Sequence, residues 1–140
     1  MDPSSKLAGI FKRRTLRATK PRQAVFKCLL KAEAPLTNSE IIRRATSVDR
    51  VTVYRTLALF EKIGIIHRVY VGWKYKLELT DKFIGHHHHL SCLSCGKVTD
   101  IKDEKYIENF ISEVTTRFGF QPRRHQFEIE GICRKCQLKK

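Results

Sequence analysis

Long apolar runs are missing from this 140-residue chain, and none approaches the ~20 residues a helix needs to span a bilayer, so a soluble protein with no membrane partner is expected. The opening MDPSSKLAGIFKRRTLRATK has no apolar h-region of the secretory kind. No H-E-x-x-H or comparable ligand-plus-base pattern occurs, and the length leaves no room for a large enzyme core, so an enzyme is not expected. Acidic residues are scarce as well: 14 Asp and Glu stand against 28 Lys and Arg, for a net charge of +14. Such an imbalance costs self-repulsion and points to a polyanionic partner. It is also uneven. Residues 1–80 carry 17 basic and 6 acidic side chains, net +11, whereas residues 81–140 carry 11 and 8, net +3.

What the second half has instead is metal-ligating chemistry. Residues 86–96 read HHHHLSCLSCG, four imidazoles followed by a C-x2-C pair, and a second C-x2-C lies at Cys133 and Cys136. Paired thiols at this spacing suit a metal in a reducing, cytoplasmic setting better than a disulfide framework. Four thiolates from Cys92, Cys95, Cys133 and Cys136 suit a closed tetrahedral Zn2+ with a structural role. The fifth cysteine, Cys28, sits in VFKCLL as an apolar helix residue.

Along the chain, residues 1–19 form a basic arm or short helix, with Arg14, Arg17, Lys20 and Arg22 close together for DNA contact. Pro21 opens a helix with Thr19 as its cap, and Val25, Cys28, Leu29 and Ala32 share one face. Thr37 or Asn38 caps a short helix, with Glu40 in its first turn. Asp49 caps the next, which runs to Gly64 and buries Val53, Leu57 and Phe60. Its outer face, with Arg50, Arg55 and Lys62 and with Thr52 and Tyr54 beside them, suits the major groove of duplex DNA. IIHRVYV and KYKLEL around Gly72 and Trp73 make a hairpin. Three helices and a hairpin give the order of a winged helix-turn-helix.

Residues 80–85 read as a linker, with the hinge at 81–85 dividing a DNA-binding domain, 1–80, from a metal-binding domain, 86–140. Two short strands, at 89–92 and 97–101, flank the Cys-Gly knuckle. A helix over 103–118 carries Tyr106, Ile107, Phe110, Ile111, Val114 and Phe118 in one wide stripe, and residues 125–133 read as a last strand. So small a sheet cannot cover that stripe, which suggests a partner subunit. The fold class expected is α+β: an N-terminal winged helix-turn-helix, then a small C-terminal α/β dimerisation domain with a four-cysteine zinc site. In an extended segment side chains alternate, so His87 and His89 point one way while His86 and His88 point the other. His67, Glu78, Asp81, Asp100, Glu108 and His125 are the further donors.

TVYRTL at 52–57, HHHHLSCLSCGKVTD at 86–100 and H-x7-C-x2-C at 125–136 together resemble the ferric uptake regulator family of metal-sensing repressors. The resemblance covers nearly the whole chain. It implies a homodimer whose metal-dependent binding to a double-stranded operator represses transcription. It assigns the four cysteines to structural Zn2+, and His67, Glu78, His87, His89 and Asp100 to a regulatory site for a second Zn2+ or for Fe2+. His86, His88, Glu108 and His125 fall to a further site in the dimerisation lobe, and Tyr54 and Arg55 face bases and phosphates. Pro35 stands where iron and peroxide sensors have a histidine, and GIIHRV, with His67, is similar to the zinc uptake branch. Glu78 is the residue typical of iron sensors. Zinc sensing is therefore favoured, with iron or peroxide sensing as the alternative; outside the family, the alternative is a zinc-ribbon module that binds nucleic acid or protein without a metal switch.

Overall fold

The computed structural model describes residues 2–101 and 105–139. The chain divides into two compact units, Met1–His86 and His87–Lys140.

The first unit opens with α1 (Pro3–Arg13), a full helix where an arm or a short helix was expected. Asp2 caps it by accepting a hydrogen bond from the Ser5 backbone N–H at 3.1 Å, and Leu7 and Phe11, one turn apart, bury its inner face. α2 (Lys20–Leu30) starts where Pro21 directs it and buries Val25, Phe26 and Leu29. Thr19 occupies the cap position, yet its side chain makes no capping bond. α3 (Asn38–Arg44) starts with a complete capping box: the Thr37 hydroxyl accepts from the Glu40 N–H, and the Glu40 carboxylate accepts from the Thr37 N–H at 2.7 Å. These bonds, the Thr37 backbone donor foremost, hold the Glu40 carboxyl below its ordinary pKa. α4 (Arg50–Lys62) is capped by Asp49 and buries Val53, Thr56, Leu57 and Phe60. Gly64, at φ 72, ends the turn that follows in a conformation costly for other residues.

An antiparallel hairpin follows, β1 (Ile66–Val71) and β2 (Lys74–Leu79), with His67 opposite Glu78 and Tyr70 opposite Tyr75. Leu36 bridges to Leu77 with two backbone hydrogen bonds, fastening the segment before α3 to the wing. Within the segment expected as a hinge, 81–85, residues Asp81–Ile84 form a helical turn, α5, that belongs to the first unit. The reason is Phe83, whose ring meets Phe26 edge-on at 5.0 Å and gives the segment apolar surface to bury. The buried apolar cluster, from Leu7 through Phe83, lies wholly in this unit.

The second unit is a three-stranded sheet in the order β4-β3-β5. β3 (His88–Cys92) pairs antiparallel with β4 (Val98–Ile101) and parallel with β5 (Glu128–Gly131). The parallel pairing requires a crossover, which α6 (Lys105–Arg117) supplies. The expected start of that helix at Asp103 lies outside the described residues. None of its described residues is fully buried; Tyr106, Phe110 and Val114 are exposed, as are Phe118 and Phe120 just beyond it. A last turn, α7 (Arg134–Gln137), begins at Cys133 and has no apolar periodicity that could announce it in the sequence. The architecture is α+β: a winged helix-turn-helix followed by a small α/β domain that carries a cysteine cluster.

Candidate metal centres and nucleic-acid interface

The cysteine cluster is assembled from two tight turns. After β3, the Cys92 carbonyl accepts from the Gly96 N–H at 2.9 Å, closing the first C-x2-C knuckle, with Gly96 at φ 73. In α7 the Cys136 N–H donates to the Cys133 carbonyl at 2.9 Å, closing the second. The four sulfurs lie within 4.8 Å of one another, and Cys95 and Cys133 are 3.8 Å apart. Tetrahedral zinc with sulfur ligands at about 2.3 Å sets neighbouring sulfurs about 3.8 Å apart, so this donor set fits Zn2+. The Cys133 N–H donates to the Cys92 sulfur at 3.3 Å, and this bond, with a second from the Cys95 N–H, draws the Cys92 thiol down to about 6. Cys136 goes the other way: a contact with Ser94 works to lower it, but the neighbouring sulfurs, Cys133 first, push it up to about 11. Thiols so close cannot all ionise without a cation among them.

A second group lies in the same unit. Glu108 on α6 brings one carboxylate oxygen 3.1 Å from His88 Nε2 and 3.0 Å from His125 Nε2. His88 is buried, its ring 5.4 Å from that of His125 and edge-on to Phe127. Two imidazole nitrogens and a carboxylate make an N/O set suited to a divalent transition metal. His86, in the first unit, has its Nδ1 2.7 Å from the Asp81 carboxylate.

The residues of the expected regulatory site fall into two sets. On the hairpin, the register that puts His67 opposite Glu78 brings His67 Nε2 to 2.8 Å from the Glu78 carboxylate, which is buried at 7% exposure. At the start of β3, His87 and His89 have their rings 4.7 Å apart, and His89 is buried opposite Asp100 with a nitrogen 3.8 Å from its carboxylate. The alternation expected for the histidine run accounts for His87 and His89 sharing one side.

The outward face of α4 carries Arg50, Tyr54, Arg55 and Lys62, all exposed, with Thr52 half-buried. Arg50 lies over the Tyr54 ring at 5.8 Å. Arg14, Arg17 and Lys20 are exposed; Arg22 is half-buried and donates to the Arg17 carbonyl at 2.7 Å, joining the basic residues on either side of the α1 to α2 turn. The sequence attaches no role to Glu61, yet its carboxylate forms a two-point ion pair with Arg68, at 2.6 and 3.1 Å, tying the wing to the end of α4. A carboxylate seven residues before an arginine across a tight turn is the one trace of it in the chain.

Comparison with known proteins agrees with this arrangement. The profile of the "Ferric uptake regulator family" matches residues 13–130. The "Ferric uptake regulation protein" of Bordetella parapertussis is 34% identical over 128 residues, covering 87% of this chain and 90% of that protein. The "Peroxide-responsive repressor PerR" of Staphylococcus aureus is 28% identical, covering 89% and 84%. Among solved structures, the Helicobacter pylori ferric uptake regulator, described as having three functional metal-binding sites, superposes with a TM-score of 0.78 at 26% identity, covering 96% of this chain and 91% of that one. With its winged helix, its cysteine cluster and its histidine groups, the chain belongs to the ferric uptake regulator family of metal-responsive regulators.

Proposed function

We propose that this protein is a cytoplasmic, homodimeric repressor of metal-homeostasis genes that binds a double-stranded operator when a regulatory site is filled, with Zn2+ as the effector. Cys92, Cys95, Cys133 and Cys136 hold a structural Zn2+. His67, Glu78, His87 and His89 hold the regulatory ion, and His86 joins His88, Glu108 and His125 at a third site. The observation that carries the reading is that the regulatory ligands come as two incomplete sets, His67 with Glu78 on the wing and His87 with His89 on the sheet. Neither set alone makes a four-donor site; together they supply three nitrogens and one oxygen, a set suited to tetrahedral zinc. Bound there, the cation supplies coordinate bonds alone, and no chemistry follows.

Held by both sets of ligands, the wing and the sheet lose relative freedom. In a dimer that fixes the separation of the two α4 helices, which must match successive major grooves. Unbridged, only a fraction of molecules has the right separation, and the apparent affinity falls by that fraction. Arg55 and Tyr54 contact bases, helped by Thr52, Arg50 and Lys62, while Arg14, Arg17, Lys20 and Arg22 take phosphates. The exposed apolar residues of α6 support the homodimer, since a lone copy leaves them in water.

A second reading, Fe2+ as effector, draws on Asp100 beside His89, which offers another carboxylate, and on relatives whose names refer to iron and peroxide. Anaerobic metal analysis, paired with binding to duplexes selected from a random pool, separates the two. Zinc sensing predicts two or more zinc per chain and a shift in Zn2+ but not in Fe2+. His89→Ala keeps the cysteine-bound zinc and loses metal-dependent binding; Arg55→Ala weakens binding about 10- to 100-fold and leaves metal affinity alone. Binding that survives His89→Ala and chelation together overturns the switch. A shift with RNA and none with duplex DNA favours a zinc-ribbon module.

A further inference from the structure

The tip of the wing presents a feature that the fold does not explain. Trp73, the chain's single tryptophan, is 104% exposed. Its position is set by the turn. Gly72 has φ 60, while Trp73 is not among the residues at positive φ; this suits a two-residue hairpin turn with glycine first, and it leaves the indole at the apex. The wing behind it is stiffened. Tyr70 and Tyr75 meet edge-on at 6.4 Å, Arg68 lies over Tyr75 at 4.3 Å, and the same Arg68 is pinned to Glu61 on α4. The indole thus projects from a braced hairpin anchored to the helix that carries Tyr54 and Arg55.

The charge around it narrows the choice of partner. Residues 68–76, RVYVGWKYK, hold three basic side chains and no acidic one. Arg68 is engaged with Glu61 and Lys76 is half-buried, so the exposed Lys74, next to Trp73, is the cation at the apex. An aromatic tip beside a cation fits a polyanion with flat apolar surfaces recessed between its charges. The minor groove of a duplex, about 6 Å wide and walled by sugars and phosphates, offers that, and inserted apolar side chains there unstack base steps.

We propose that Trp73 is a DNA contact, entering the minor groove beside the major-groove site of α4 while Lys74 pairs with a flanking phosphate. This rests on the DNA-binding reading above. Insertion is favoured at pyrimidine-purine steps, the easiest to open, so the wing adds sequence preference at positions α4 does not reach.

Because Trp73 is the only tryptophan, its fluorescence reports on the contact directly. The test uses the full-length, metal-loaded protein with duplexes it selects from a random pool, read by gel shift, by tryptophan emission and by acrylamide quenching. The expected results are a changed emission and protection from acrylamide in the complex. Trp73→Ala lowers affinity about tenfold, or about 1.4 kcal/mol, while Trp73→Phe retains most of it and metal content is unchanged. Lys74→Ala reduces the salt dependence by about one phosphate contact. A shifted complex whose tryptophan emits and quenches as in the free protein overturns the wing contact and leaves the α4 reading standing. If no duplex is shifted by the wild type or by Trp73→Ala, the DNA reading falls, and the wing contact with it. If Trp73→Ala alters self-association rather than affinity for DNA, the apex is a protein contact and the proposal is wrong.

Discussion

The two units of this chain reach a fold by different physics. In the first, Phe11, Phe26, Phe60, Ile41 and Ile65 are almost fully buried, and hydrocarbon removed from water holds seven elements together. In the second, the buried residues among those described are His88, His89, Ser91, Cys92 and Val98, a mostly polar set, while the large apolar side chains of α6 lie in solvent. A unit of some fifty residues with so little buried hydrocarbon needs metal or a partner for stability. The difference bears on the roles proposed above: the unit that carries the α4 face has a hydrocarbon core of its own, whereas the unit that carries the cysteine cluster has little hydrocarbon to hold it.

That contrast can be broken in graded ways. Cys133→Ser should have the largest effect, because structural zinc in small domains contributes about 10–16 kcal/mol to folding. The second unit should lose the zinc proposed for it and its ordered amide signals while the first keeps its own; loss of both units' signals together would contradict separate stabilisation. Phe60→Ala should cost about 3–5 kcal/mol as a large-to-small change in a packed core. Here the order reverses: denaturant should unfold the first unit early, with zinc still bound in the second. Phe110→Glu, at an exposed position on α6, should leave both folds intact and raise the dissociation constant of the proposed dimer by a factor of about 30 or more, read by sedimentation. An unchanged mass would point to another face.

The smallest effect belongs to the α3 cap. Thr37→Ala should cost about 1 kcal/mol in thermal unfolding. The Glu40 carboxyl, lowered by the Thr37 backbone N–H, gives a pH signature as well. Its contribution is fully present above its unfolded pKa of about 4.3 and is lost as pH falls through the lower folded value. The stability gap between wild type and Glu40→Gln should therefore close on acidification, whereas a gap that widens would reverse the sign assigned to the cap.

Much of this was legible from residue patterns. Asp49 and Gly64 bracket α4, the Thr37 and Glu40 spacing specifies a capping box, and glycine before Trp73 sets the turn, because each acts within a few residues of itself. Residues 81–85 carry no such pattern. A lone Phe-Ile pair in TDKFIG looks like a linker until Phe26, 57 positions before Phe83, is found against that ring. The α7 turn was likewise hidden, since its order comes from the sulfurs it brings to Cys92 and Cys95.

By itself the sequence determined the types of the longer elements, the ligand inventory and the surplus of positive charge, since periodicity, capping and ionisation are properties of short stretches. Tertiary structure alone decided which ligands meet. The hairpin register puts Glu78 against His67, the β3–β4 register puts Asp100 beside His89, and the α6 crossover carries Glu108 to His88 and His125. Such meetings depend on strand pairing and helix placement between distant segments, where the free energy is set by packing and by loop closure that no local pattern encodes.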